Sequence, residues 1–180
     1  MTFEEIYREY SGRVLNLVYR MTSRQDIARD LTQDIFIKVY NNLGTFQEQS
    51  QVYTWVYRIA VNHVLNHIKH ERRARWLSVL GSSEADAAER RKIEHMANQY
   101  DGSVSADKAM EQDERARAVW SAVQSLSPKY RIPLILHHYE GISYGEIAGM
   151  MDITMSAVEN RIHRAKQQLI KKLEPVLDQL

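Results

Sequence analysis

Apolar residues recur at helical spacing along most of the chain, and polar breaks divide the pattern into segments. The first segment ends at the polar break TSRQD, and the second has an apolar residue at every fourth position until about Gly44. Both segments predict helices. Their apolar positions are Phe3, Ile6, Tyr7, Tyr10, Val14, Val18 and Met21 in the first, and Leu31, Ile35, Val39 and Leu43 in the second.

A third helix is predicted from Tyr53 to about Arg75, with one broad apolar side. Its other side collects Arg58, Asn62, His63, Asn66, Lys69 and His70, and Trp55 falls among them. Cations around an aromatic plane are typical of surfaces that bind single-stranded nucleic acid, because unpaired bases stack on the ring while the cations hold phosphates. The alternative interpretation is that Trp55 packs under the neighbouring loop, and the two can hold together.

The helical pattern stops between Leu77 and Asp113, where Ser, Ala, Asp and Glu dominate. We expect a flexible acidic linker there. Periodicity returns from Met110 to Leu126, and Ser127 followed by Pro128 predicts the start of another helix. Pro133 lies within that helix, so a kink or a break is expected at this position.

Two short helices joined by a tight turn are predicted at the end of the chain. Ser143 and Glu146 have the spacing of a capping box, which predicts a helix start at Ser143. The polar break DIT follows, and Thr154 or Ser156 can cap the second helix. This arrangement is a helix-turn-helix.

The second of these helices has an apolar arc and an opposite polar arc. The apolar arc holds Val158, Ile162, Ala165, Leu169 and Leu173; the polar arc holds Ser156, Asn160, His163, Arg164, Gln167 and Lys171. Arg can pair with guanine, and Asn and Gln can pair with adenine, in the major groove. Early residues of such a helix face the bases, so Ser156, Asn160, His163 and Arg164 are the candidate readers.

The net charge of +1 hides two local concentrations of cations. Residues 51–76 hold five Lys/Arg against one acidic residue, and residues 155–173 hold the same numbers. Residues 77–113 hold four against eight. Two basic segments on either side of an acidic one suggest two contacts with one polyanion.

Several classes of protein fit the composition poorly. The chain has no cysteine, and no run approaches the ~18 apolar residues of a membrane span. The start of the chain lacks a secretory pattern, so a cytoplasmic protein without stable membrane insertion is expected. His137, His138 and Glu140 cluster, but without a third ligand or a nucleophile at useful spacing. We therefore expect no catalytic residue, no metal site and no cofactor.

The motifs DLTQDIF, YTWVYRIAVN and GISYGEIAGMMDITMSAVENRIHRAK occur in the order and spacing of one family. They resemble the extracytoplasmic-function (ECF) group of bacterial RNA polymerase sigma factors. The resemblance implies an all-α fold of two small helical domains joined by a flexible linker. Region two would occupy residues 1–76, the linker 77–113, and region four, with its helix-turn-helix, 114–180.

The same resemblance implies partners and site residues. Region two of this family binds the clamp helices of the largest polymerase subunit and the melted minus-ten element. Region four binds the flap of the second-largest subunit and the minus-thirty-five duplex. Sequestration by an anti-sigma factor is also expected. The implied core-binding residues are Asp30, Gln33, Asp34 and Ile37; the minus-ten residues are Phe46, Gln47, Trp55, Arg58, Asn62, Asn66 and Lys69; the minus-thirty-five residues are Ser156, Glu159, Asn160, His163, Arg164 and Gln167.

Two departures from the family pattern affect these expectations. Many relatives have an FRGDS-like loop where this chain has FQEQS, and Arg and Ser often stand at the positions of Glu159 and Asn160. A carboxylate near the groove repels phosphate but can accept a hydrogen bond from cytosine, so different promoter preferences are expected. A stand-alone dimeric helix-turn-helix regulator is the alternative function, and an adaptor without DNA contacts would leave Trp55 and Arg164 without a role.

Overall fold

A computed structural model describes residues 1–46, 51–80 and 114–177 of the chain. Within these ranges the chain forms seven α-helices and one 3-10 turn at Leu43–Thr45, with no strand. The all-α prediction is therefore confirmed. The helices are α1 Phe3–Thr22, α2 Gln25–Asn42, α3 Val52–Leu80, α4 Glu114–Gln124, α5 Pro128–His138, α6 Tyr144–Met151 and α7 Met155–Leu177.

Local signals fix both ends of α1. Thr2 caps its start, and the Glu5 carboxylate accepts a hydrogen bond from the Thr2 backbone N–H, which completes a capping box. Ser23 ends the helix in the left-handed conformation at φ 63°, and its N–H donates to the Tyr19 carbonyl. The predicted polar break therefore separates α1 from α2.

Helices α1, α2 and α3 form an amino-terminal bundle around one apolar core. Its buried residues are Ile6, Tyr10, Val14, Leu17, Val18 and Met21 from α1, Ala28, Leu31, Ile35, Phe36 and Val39 from α2, and Val56, Tyr57, Ala60, Val61 and Val64 from α3. The predicted stripes match these positions closely. Phe3 and Leu43 are only partly buried, and Tyr7 departs most from the prediction because it is 50% exposed.

Helix α3 is longer than the sequence pattern predicts. It continues past Arg75 to Leu80, so residues 77–80 of the predicted linker are helical. Trp76 and Leu77, the first residues of this extension, are both exposed. The start of the extension therefore has no buried apolar stripe. The rest of the predicted linker, 81–113, lies outside the described residues.

Helices α4 to α7 form a carboxy-terminal bundle in which α7 contacts each of the other three helices. Ser127 occupies the N-cap position and Pro128 the first turn, although the Ser127 side chain makes no capping hydrogen bond. Of the kink or break expected at Pro133, the break does not occur, since α5 continues to His138. Proline here removes only the hydrogen bond to the carbonyl of Lys129 near the helix start, and Pro133 is itself buried.

The predicted helix-turn-helix is confirmed in α6 and α7. Ser143 and Glu146 form the capping box at the start of α6. Asp152 ends α6 in the left-handed conformation, and the Ile153 N–H donates to the Ala148 carbonyl. Thr154 caps α7, because its Oγ1 accepts from the Ala157 N–H at 3.2 Å. Val158, Ile162 and Ala165 then pack into the core.

The two bundles pack against each other rather than lying apart. Helix α5 contacts α1, and α6 contacts the amino-terminal part of α3. The buried apolar residues of both bundles consequently form one continuous cluster.

Candidate nucleic-acid interface

The polar arc of α7 faces solvent over its whole described length. Each predicted minus-thirty-five residue on it is exposed: Ser156, Glu159, Asn160, His163, Arg164 and Gln167. The apolar arc of the same helix is buried or half-buried. Burial of one arc holds the other in a fixed orientation, so the six side chains form one surface.

Hydrogen bonds order part of this surface before any ligand binds. The Asn160 amide donates to the Ser156 carbonyl at 2.9 Å, and the Gln167 amide donates to His163 Nε2 at 3.0 Å. The amide oxygens of Asn160 and Gln167 remain available as acceptors.

Tyr130 extends the α7 surface onto the start of α5, which the sequence did not indicate. Hydrogen bonding from Arg164, together with the charge of Lys129, lowers the pKa of Tyr130. Arg164 is thereby positioned by a neighbour from another helix. Such an arginine can approach a base edge or a phosphate with less loss of side-chain freedom.

Trp55 is partly packed against its neighbours and partly exposed, so each of the two interpretations of this residue holds in part. The residue is half-buried, packs against the core and lies with its ring 4.9 Å from the ring of Phe46. The packing under the neighbouring loop is therefore real for one part of the indole. The remaining part lies at the surface, where it can meet an unpaired base.

Exposed polar residues continue from Trp55 along α3 at intervals of three or four. Arg58, Asn62, Asn66 and Lys69 are all exposed. Residues three and four apart share one helix face, so these four side chains form a stripe with Trp55 at its amino-terminal end. We call this the α3 stripe. Phe46 adjoins it through Trp55, whereas Gln47 lies outside the described residues.

The predicted core-binding residues form an exposed face on α2. Asp30, Gln33, Asp34 and Ile37 are all exposed, and Ile37 is 58% exposed. An aliphatic side chain beside two carboxylates suits a basic partner helix with an apolar contact. Tyr40, at 63% exposure, extends this face one turn further and was not singled out from the sequence.

His63 connects the α2 face to α3. Its Nδ1 accepts a hydrogen bond from the Lys38 ammonium at 2.8 Å, and its Nε2 lies 3.5 Å from Asp34 Oδ2. Burial lowers the pKa of His63, and the charge of Lys38 lowers it further. Asp34 acts in the opposite direction but has a smaller effect. The His63 ring thus lies between an ammonium and a carboxylate.

The two basic segments of the sequence line opposite walls of one cleft. Lys69, Arg72 and Arg73 from α3 face Lys129 and Arg161 from the carboxy-terminal bundle, around a cleft of about 860 Å³. This juxtaposition depends on how the bundles pack, so the sequence could not predict it. The cleft between the two bundles is therefore strongly cationic.

The cluster of His137, His138 and Glu140 has structural contacts. His137 Nδ1 donates to the Ile142 carbonyl at 3.0 Å, and Glu140 accepts a hydrogen bond from Tyr57 at 2.9 Å. Both contacts lie at the end of α5.

None of the helices in 1–46, 51–80 and 114–177 is long and apolar enough to cross a membrane.

Comparison with known proteins gives matches to two family models and to named relatives. The family described as Sigma-70 region 2 matches residues 6–74, and Sigma-70, region 4 matches residues 116–169. The RNA polymerase sigma-H factor of Pseudomonas aeruginosa is 33% identical over 97% of this chain and 88% of its own length. The ECF RNA polymerase sigma-E factor of Escherichia coli K12 is 32% identical with the same coverage.

Two solved structures share the fold. The sigma factor RpoE of Bartonella quintana, in complex with the anti-sigma factor NepR, gives a TM-score of 0.67 at 20% identity and covers 96% of both chains. CnrH, in complex with the cytosolic domain of CnrY, gives 0.61 at 17% identity, covering 96% of this chain and 88% of that one. Sigma factors regulate transcription and are not a family of enzymes. The chain belongs to the sigma-70 family and is an RNA polymerase sigma factor of the extracytoplasmic-function group.

Proposed function

We propose that three separate surfaces of this sigma factor divide the work of promoter-specific initiation. The α2 face with Asp34 binds the clamp helices of core polymerase, the α3 stripe with Trp55 holds the melted minus-ten strand, and α7 reads the minus-thirty-five duplex. Region two then corresponds to residues 1–76 and region four to residues 114–180, joined by 77–113.

The chemical difference between the two candidate DNA surfaces carries this proposal. The α3 stripe combines a partly exposed indole with exposed Arg58 and Asn62. Such a surface suits unpaired bases, which offer their faces for stacking. The predicted reading residues of α7 offer amides, an imidazole and the Arg164 guanidinium, which suit base edges in an intact major groove. A protein that melts one element while reading another needs both.

Glu159 gives the α7 surface its own preference. Its exposed carboxylate lies one residue before Asn160, on the arc with Arg164. A carboxylate accepts from the amino group of cytosine and repels phosphate. We therefore infer a minus-thirty-five element with a cytosine opposite Glu159, and weaker non-specific attraction to DNA than a relative with arginine there.

The partners follow from the same family. Core RNA polymerase would contact region two through its largest subunit and region four through its second-largest subunit. RpoE of Bartonella quintana was solved in complex with the anti-sigma factor NepR. We infer that an anti-sigma factor also controls this chain, that the chain acts in the cytoplasm, and that it performs no chemistry itself.

Equilibrium binding to a promoter fragment, with and without core polymerase, tests this function against a stand-alone regulator. A regulator binds duplex DNA by itself, and its affinity falls steeply with salt in proportion to its phosphate contacts. We expect the free chain to bind weakly and core polymerase to increase the affinity by at least a hundredfold. Tight, salt-dependent binding that is unchanged by core polymerase would favour the regulator instead.

A further inference from the structure

One apolar side chain lies at the start of α7, where the neighbouring exposed residues are polar. Met155 is 60% exposed and is followed directly by the exposed Ser156. The apolar residues that attach this helix to its bundle are instead almost completely buried, as Val158, Ile162 and Ala165 show. A single exposed apolar residue is ordinary on a protein surface. The position of Met155, at the end of α7 that faces DNA in a helix-turn-helix, makes it informative.

The start of α7 is stabilised by residues other than Met155. Thr154 caps the helix, because its Oγ1 accepts from the Ala157 N–H at 3.2 Å. Ile153 precedes the cap, is half-buried and packs against the core that contains Val158. These two apolar residues occupy the positions of a hydrophobic staple, which fixes the angle at which the chain enters a helix. Met155 is therefore held in place by its neighbours while its own side chain remains exposed.

Met155 lies on the same side of α7 as Glu159, an exposed residue of the predicted minus-thirty-five set. Residues four apart are neighbours on one helix face. Four residues correspond to ~6 Å along the helix axis, at ~1.5 Å each. The two side chains can therefore reach base pairs that are about one or two steps apart, at ~3.4 Å per step.

The major groove offers one apolar group that matches a methionine side chain. Thymine presents its C5 methyl there, whereas the other groups by which the base pairs are distinguished are hydrogen-bond donors and acceptors. Methionine is unbranched and polarisable, so it adapts to an irregular apolar contact. Because the early residues of a recognition helix face the base edges, the thymine methyl is the group on DNA that fits Met155.

We propose that Met155 is a specificity-determining residue of the minus-thirty-five surface and contacts the C5 methyl of a thymine near the cytosine inferred opposite Glu159. This inference rests on the proposed function, because α7 must lie in the major groove. It adds an apolar contact to a surface whose other reading residues act through hydrogen bonds and charge. Burial of one methyl group against Met155 should favour thymine over uracil by about fourfold.

Replacing single thymines by deoxyuridine tests the contact, because it removes only the methyl group from the base edge. The duplex carries a minus-thirty-five element selected by the wild-type protein with core polymerase, and each thymine on either strand is replaced in turn. Competition binding to this holoenzyme gives the affinity of every duplex. We expect one replacement to lower the affinity by about fourfold and the others to have little effect.

Met155→Ala then identifies the side chain that senses the methyl. Alanine is well tolerated at an exposed helix position, and circular dichroism verifies that the helices are kept. In this variant the thymine and deoxyuridine duplexes should bind equally well, because the contact is already lost. Ile170→Ala is the matched control, since Ile170 is 68% exposed on the same helix but lies roughly 22 Å further along its axis. This control should keep the fourfold preference for thymine, within about a factor of two.

The outcomes separate this contact from the proposed function. An equal penalty for deoxyuridine in wild type and in Met155→Ala would overturn the contact, and so would a selected element without an A·T pair within about two steps of that cytosine. If Met155→Ala weakens binding to core polymerase instead, Met155 contacts the enzyme and not the base. Loss of duplex binding in Arg164→Ala would support the proposed function in each of these cases. A wild-type holoenzyme without any preference for upstream sequence would overturn the proposed function and this inference together.

Discussion

The two candidate DNA surfaces differ in how complete they are before a ligand arrives. The predicted reading residues of α7 are all exposed, and hydrogen bonds among them and from Arg164 to Tyr130 hold their side chains. The α3 stripe begins with an indole that still packs on Phe46 and borders α6. An intact duplex can dock on a preformed face, whereas the surface proposed to hold the melted strand is partly covered by Phe46 and by α6.

The two bundles also differ in the number of proposed binding surfaces that they carry. The amino-terminal bundle carries the core-binding face on α2 as well as the α3 stripe, so DNA melting and polymerase binding depend on the same small core. The carboxy-terminal bundle positions α7 through Val158, Ile162 and Ala165. Changes in one bundle should therefore leave the other surface intact, and four substitutions test this separation.

Asp34→Lys should have the largest effect, and it should change only the affinity for core polymerase. Reversing the charge places an ammonium opposite a basic partner, and like charges across an interface cost several kcal/mol, so core affinity should fall at least a hundredfold. Glu9→Lys makes the same charge change at an exposed site on α1 and should bind core normally. Surface plasmon resonance with purified core measures both. Normal binding by the Asp34 variant would contradict the α2 assignment.

Trp55→Ala should impair promoter opening. Loss of stacking removes roughly 1 to 3 kcal/mol per base, or about 5- to 150-fold in the open-complex equilibrium. Trp55→Phe keeps an aromatic plane against Phe46 and should recover most of the activity. Permanganate reactivity of unpaired thymines reports opening, while core affinity serves as the control. If the alanine variant opens promoters normally, Trp55 only packs against the loop.

Arg164→Ala should reduce affinity for the promoter duplex without changing core affinity. A lost arginine contact with a base edge costs roughly 1 to 3 kcal/mol, and discrimination at one base pair of the minus-thirty-five element should relax with it. Gln168→Ala, an exposed change on the same helix outside the reading set, is the control. A competition assay with single-base variants of the element measures the effect. A uniform loss across all sequences would mean that Arg164 contacts phosphate only.

Lys38→Met should raise the pKa of His63, which is the smallest of the four effects. Lys38 lowers that pKa through its charge and hydrogen bond, so its removal leaves Asp34 as the neighbouring charge. Because the folded-state pKa of His63 lies below that of the unfolded chain, its contribution to stability is present above the ordinary histidine range and is lost as the pH falls through the folded value. NMR titration of the imidazole gives the pKa, and an unchanged value would contradict the Lys38 contact.

Local signals explain why so much of the fold could be predicted. The Ser143 capping box and the apolar arc beginning at Val158 depend on neighbours a few residues away, and both were correct. The Thr2 and Glu5 capping box has the same spacing and could have been recognised as well. The break allowed for at Pro133 does not occur, because the cost of a missing hydrogen bond depends on where in the helix it falls.

The contacts between the bundles could not be predicted from the sequence. Arg131 and Glu140 are ordinary charged residues in the chain, and only the packing of α5 against α1 and α3 places them beside Met21 and Tyr57. The same holds for the cleft that brings Lys69 opposite Arg161. The minus-ten, minus-thirty-five and core-binding roles came from resemblance to a family, because exposure and charge alone are shared by many solvated helices.

Run-off transcription with purified core polymerase over a library of randomised promoters tests the central claim most directly. Addition of the chain should produce transcripts from templates that share one pair of sequence motifs, about 25 base pairs apart, upstream of a fixed start site. Arg164→Ala should change the enriched upstream motif, and Trp55→Ala should lower the yield. A transcript pattern identical to that of core polymerase alone would contradict the assignment of these surfaces.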